Sequence, residues 1–202
     1  MMAEASMETQ GPAGAVARVL TLLYGIGTYL FFFCTFLYLI GFVGNWVVPK
    51  GIDDGAPAAS AGAAVAVNVL LLGLFAVQHT IMARPAFKEV WVRWVPLHVE
   101  RSTFVLLSTA TLAVMAWQWR PLPEPVWRFE SRLAVGVLTA ASLAGWGMVL
   151  ASTFLIDHFE LFGVKQTVFY ALGRPLEHPR FRERLFYRWV RHPLMLGFLI
   201  AF

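Results

Sequence analysis

The stretch whose residue types most plainly invite chemistry is Tyr187-Arg188-Trp189-Val190-Arg191-His192-Pro193-Leu194-Met195-Leu196-Gly197, where a basic, aromatic run gives way to an apolar one at a His-Pro step. Proline fits the first turn of a helix, so Pro193 is expected to open one and to leave free N–H groups just after it. With Arg191 and His192 beside it, such a helix start can hold an anionic group such as a carboxylate. The competing reading is a basic anchor ahead of a membrane helix, where arginine is commonplace. A second set of polar residues lies upstream. Gln78 and His79 sit about a turn inside the end of an apolar run, Glu100-Arg101 stands at the head of another, and Asp157-His158 with Glu160 and Gln166 follows a third. Polar groups at membrane depth are costly and tend to face a cavity or a partner. For His79 a satisfied interfacial histidine is the alternative, and for Glu100-Arg101 a solvated pair.

The elements that must position these residues are membrane spans. With 58% hydrophobic and 14% charged residues, the chain is too apolar for an ordinary soluble domain and too apolar to be disordered. Its mean hydropathy of +0.64 agrees. The expected fold is an all-α polytopic integral membrane helix bundle of about five transmembrane helices, the last incomplete. Spans are expected over about 19–48, 58–82, 102–119, 133–156 and 193–202, behind a polar lead-in over 1–17 read as disordered and cytoplasmic. Trp46 falls at an interface, the amphipathic reach from Arg84 to Glu100 reads as lying on the membrane surface, and Asp157 to Gln166 reads as a loop or short interfacial helix. Gly136, Gly145 and Gly147 give the fourth span a small side suited to close packing. Only nine residues follow Pro193, roughly 14 Å of helix against a hydrocarbon core of ~30 Å, so the sequence reads as a fragment of a longer frame.

Charge sets the orientation. Twelve of the sixteen Lys and Arg fall in the N-terminal lead-in, the 2–3 and 4–5 loops and the residues bordering them, which places the N-terminus in the cytoplasm. That topology gathers Gln78, His79, Glu100, Arg101, Asp157, His158, Glu160, Gln166, Tyr187, Arg191 and His192 at one face, where a polar pocket is the simplest use for them. The basic excess suits an anionic membrane face better than nucleic acid. Cys34 is the sole cysteine, so no intrachain disulfide is available, and no metal site is expected.

Tyr187 to Pro193 followed by Gly197 resembles the cofactor-binding signature of membrane methyltransferases related to isoprenylcysteine carboxyl methyltransferase. Gln78-His79-Thr80-Ile81-Met82-Ala83-Arg84, Glu100-Arg101-Ser102-Thr103-Phe104-Val105-Leu106 and Phe159-Glu160-Leu161-Phe162-Gly163-Val164-Lys165-Gln166 are similar to the nurim-like branch, most closely its bacterial methanethiol S-methyltransferases. The resemblance implies S-adenosyl-L-methionine as cofactor, a small thiol as acceptor, most simply methanethiol giving dimethyl sulfide, and a multi-pass place in a bacterial inner membrane. It puts Tyr187, His192, Pro193, Leu194 and Met195 at cofactor-contact positions with Gln166 upstream; Arg191 joins them from the helix-start argument. Two departures stand out. Met195 replaces an aromatic residue of the relatives, and their C-terminal acidic motif has no counterpart before Phe202. His79, Glu160 and His192 are each candidates for the base that ionises the thiol. The alternative is a non-catalytic, structural or assembly protein of the nurim-like fold, which cofactor binding would separate from an enzyme.

Overall fold

The computed structural model describes residues 14–55, 60–122, 124, 128–176 and 189–202. Those residues form helices and connections without strands: α1 (Ala15–Gly44), α2 (Ala61–Met82), α3 (Pro85–Trp91), α4 (Leu97–Gln118), α5 (Arg132–Ile156), α6 (His158–Leu161), α7 (Val164–Ala171) and α8 (Pro193–Ala201). Four of them, α1, α2, α4 and α5, are long and apolar enough to cross a bilayer, so the chain is a multi-pass membrane protein. The expected fifth span corresponds to α8, nine residues packed along α5. Helix α1 starts at Ala15, so the last three residues of the expected lead-in are helical, and residues 1–13 lie outside those described.

Residue chemistry explains where these helices end. Asn45 takes a left-handed conformation (φ 55°) and its N–H returns to the end of α1, so the helix stops before the expected Val48. The chain then folds back, with Ile52 N–H on Phe42 O at 2.8 Å and the Asn45 amide on Asp53 at 2.6 Å. This places Lys50 under the last turn of α4, where its ammonium donates to the carbonyls of Ala116 (3.2 Å), Trp117 (2.6 Å) and Trp119 (3.0 Å). Helix C-termini leave such carbonyls unpaired, and a lysine there also suits the helix dipole. Burial, with Arg120 adding to it, holds the Lys50 ammonium below the usual lysine range. Asn68 on α2 ties down the connector beyond, accepting from Arg120 N–H (2.9 Å) and donating to Arg120 O (2.8 Å).

Packing follows small residues. Helix α4 lies against both α1 and α2, α7 lies across α1 and α4, and α5 carries α6 and α8. The α5–α8 crossing is a backbone contact: a methyl group on Gly145 would sit 2.5 Å from Ala201 N, and one on Gly197 2.8 Å from Val149 N. Of the three glycines expected to form one small side of α5, only Gly145 is used this way among the described residues, since Gly136 and Gly147 meet none of them within 4 Å. Ser142 fastens the same crossing by donating to Ala201 O at 2.8 Å.

Candidate functional site

The residues expected to line one pocket divide among three neighbourhoods, the first of them the segment Asp157–Gln166. This segment is a pair of helices, α6 and α7, separated by the turn at Phe162-Gly163. Asp157 caps α6, accepting from Glu160 N–H at 3.1 Å, and also takes the Lys165 ammonium at 2.9 Å. Lys165 reaches the Glu160 carboxylate as well, at 3.1 Å. Burial would raise the Asp157 carboxyl, but the Lys165 and Glu160 hydrogen bonds and the lysine charge outweigh it and hold the group below the usual carboxylate range. For the same reason in reverse, Lys165 stands above the usual lysine range despite the burial that opposes it.

The turn itself is moulded onto α4. Gly163 has φ +85°, a conformation that side chains disfavour, and a methyl group there would lie 2.5 Å from Ser102 Oγ and 2.6 Å from Ser102 N. Ser102, fully buried, donates to Gly163 O at 3.2 Å. On the other side, Thr167 of α7 is fully buried against Gly25 of α1, where any side chain would overlap it. Two longer side chains then close on consecutive carbonyls: Gln166 Nε2 donates to Glu160 O (3.1 Å) and Arg101 Nε to Leu161 O (2.7 Å). Residues on α4 and α7 that lie 65 positions apart in sequence thus meet at adjacent peptide groups. Gln166 Oε1 is buried and has no hydrogen-bond partner among the described residues.

His158, expected in the same pocket, is instead a packed node. It is 2% exposed, stacked on Phe154 and bonded to Tyr29 and Thr153. Thr153 Oγ1 gives its own hydrogen to Leu150 O (2.6 Å), so it accepts from His158 Nδ1–H, which leaves Nε2 to accept from the Tyr29 hydroxyl at 2.9 Å. Both ring nitrogens are used by the neutral form. Burial, only partly offset by Asp157, correspondingly holds this histidine below its usual range.

The second neighbourhood lies between α2 and α4. His79 Nδ1 and the Gln78 amide both reach Ser108 Oγ at 3.4 Å, and Gln78 also donates to Met82 Sδ at 3.0 Å. Helix α4 begins at Leu97, so Glu100 lies in its first turn with Arg101 next; Glu100 pairs with Lys88 of α3 at 3.7 Å, while Arg101 lies over Phe104 and reaches α6.

The third neighbourhood is the start of α8. Pro193 is buried at the first helical position behind His192, as expected, and the first bond of the helix runs from Leu196 N–H to His192 O at 3.0 Å. The amides of Leu194 and Met195 precede it and are the free N–H groups of a helix start. Arg191, His192 and Met195 are exposed. Tyr187 and most of the basic reach before it, residues 177–188, lie outside those described.

No family profile matches the chain, and no solved structure matches it. Named proteins do. Methanethiol S-methyltransferase 2 of Bradyrhizobium diazoefficiens is 51% identical over 186 residues, covering 92% of this chain and 71% of its own length. Methanethiol S-methyltransferase of Mycobacterium tuberculosis is 50% identical over 185 residues, covering 92% of this chain and 75% of its own. The chain belongs to the methanethiol S-methyltransferase family. Nurim of Xenopus laevis is a more distant relative, 30% identical over 148 residues and 67% of this chain, which agrees with the nurim-like branch.

For a methanethiol S-methyltransferase the unpaired Gln166 oxygen is informative. A buried carbonyl without a donor costs ~1–3 kcal/mol. The amides at the start of α8 suit an anionic group. What the sequence did not reveal were the residues that fix this segment: Ser102 and Thr167, which seat the α6–α7 turn and α7, and Tyr29 and Thr153, which hold His158. Gly163, inside an otherwise bulky motif, was the one visible sign of a close approach.

Proposed function

We propose that the protein transfers a methyl group from S-adenosyl-L-methionine to methanethiol, forming dimethyl sulfide, at the cytoplasmic face of a bacterial inner membrane. The observation that carries this reading is the kinship with methanethiol S-methyltransferases along almost the whole chain. The geometry supports it through Gln166, whose unpaired oxygen fits an amine, and through the start of α8, whose amides fit a carboxylate.

When bound, the cofactor supplies a methyl group made electrophilic by its attachment to a sulfonium. The residues of the chain do the rest. His192 and the amides of Leu194 and Met195 hold the carboxylate, Gln166 accepts from an amine, and Met195 offers an apolar side chain where a ring stands in relatives. Transfer from a sulfonium to a thiolate removes one positive and one negative charge, so an apolar bundle that excludes water avoids the solvation that stabilises the separated ions. Holding donor and acceptor in line is worth more than any single contact.

Titration of the purified protein with labelled S-adenosyl-L-methionine tests the site. Gln166→Leu and His192→Ala are expected to weaken binding about tenfold or more while the helix content measured by circular dichroism stays the same. Unchanged affinity in both variants rejects these assignments.

A further inference from the structure

The residues assigned to the methyl donor leave the acceptor without a place, and α2 and α4 provide one. His79 and Arg101 flank a single ring: the His79 ring lies 5.0 Å from the centre of Phe104, and the Arg101 guanidinium carbon lies 5.1 Å from it. Phe104 itself belongs to a buried apolar cluster with Met82 and Val105. Arg101 spends only Nε on Leu161 O, and its Nη groups make no hydrogen bond to the described residues. The neighbouring carbonyl, Glu160 O, anchors Gln166, so the arginine stands one peptide group from the residue assigned to the donor. Beside His79, Gln78 Oε1 is buried without a hydrogen-bond partner among the described residues although its amide nitrogen is used twice.

We infer that Arg101 and His79 form the acceptor site, in which a small alkyl thiol lies against Phe104, gives its proton to His79 and is held by Arg101 as the thiolate. This rests on the methyl-transfer reading above. Ser108 Oγ accepts from the Gln78 amide and shares a hydrogen bond with His79 Nδ1; in the tautomer that the reaction uses, Nδ1–H donates to it and the lone pair lies on His79 Nε2. The S–H proton passes to Nε2, and a sulfur lone pair forms the new bond to the methyl carbon. The old carbon–sulfur bond breaks with its electrons staying on the donor sulfur, which becomes a neutral thioether. His79 is exposed within a turn of the end of α2, so its proton returns to interfacial water. The other candidate bases are already assigned: Glu160 is paired with Lys165, and His192 is placed with the donor carboxylate.

The test compares methanethiol with methaneselenol, an acceptor already ionised at neutral pH, using the purified protein and S-adenosyl-L-methionine. His79→Gln is expected to lower kcat with methanethiol about 100-fold or more, the ordinary worth of a general base, and to leave the selenol rate within about threefold. Arg101→Gln is expected to raise KM for both acceptors about tenfold with the donor KM unchanged, a split that a merely structural arginine would not give. Retained donor affinity certifies the fold of each variant. Should His79→Gln fail that check, Ser108→Ala carries the same test, because it releases the imidazole tautomer and should slow methanethiol selectively. Equal losses with both acceptors, or no loss with methanethiol, overturn the assignment while methyl transfer stands. A wild-type protein that methylates neither acceptor overturns both.

Discussion

Replacing Gly163 by alanine probes the joint on which the site is hung. Two penalties act together. The left-handed backbone (φ +85°) costs a residue with a Cβ ~1–2 kcal/mol. The new methyl would also lie 2.6 Å from Ser102 N and 2.9 Å from Ser102 Cα, and overpacking of this kind costs ~1–3 kcal/mol. The two together come to about 2–5 kcal/mol, or a fall in melting temperature of about 4–20 °C for a chain of this size. Thermal unfolding in detergent, followed by circular dichroism, reads the change directly. Because the obstruction is the backbone of α4 as well as the Ser102 hydroxyl, adding Ser102→Ala should not restore the loss. An unshifted melting temperature, or full rescue by Ser102→Ala, would refute the close approach of α4 and the α6–α7 turn.

The same reasoning gives three further expectations. Gly145→Leu should force α8 away from α5 and lower stability by ~1–3 kcal/mol, whereas Gly147→Leu, which meets open space, should be tolerated; equal melting temperatures for the two would contradict the crossing. Lys50→Met removes a charged donor from three carbonyls and should cost ~1–3 kcal/mol in the same assay, with no loss arguing that the cap is dispensable. His158 is held neutral in the fold, so above its ordinary pKa of about 6.5 both states are uncharged and stability is level; as pH falls below that value only the unfolded chain takes up the proton, and stability declines toward the lowered folded pKa. Asp157 adds a loss only at lower pH, as its depressed folded pKa is crossed. A melting temperature that stays level from pH 8 down to pH 5 would contradict the buried neutral histidine.

Long apolar runs made the bundle legible, because a segment that must satisfy its backbone within lipid has little choice but a helix. The ends were harder. Leu97-His98-Val99 reads as part of the surface reach when taken alone, yet it is the first turn of α4, which Lys88 steadies by pairing with Glu100 and the α6 carbonyl by taking Arg101. Asn45 stops α1 early by a left-handed turn that hydropathy does not register. At the site, sequence named Gln166, His79 and Glu160 but not what each one touches. His158 looks like an available titratable group until Tyr29, 129 residues away, and Thr153 are seen to occupy both of its nitrogens. Glycine spacing along α5 likewise could not say which of three glycines meets another helix, since that depends on where α8 lies. Long-range partnerships of this kind arise from packing, which local residue patterns do not encode.

The most direct measurement is headspace gas chromatography over the purified, lipid-reconstituted protein supplied with methanethiol and S-adenosyl-L-methionine carrying a deuterated methyl group. The account predicts dimethyl sulfide with one labelled methyl, formed in step with S-adenosylhomocysteine and lost when the cofactor is omitted. Absence of labelled dimethyl sulfide from a folded, cofactor-binding preparation would contradict it.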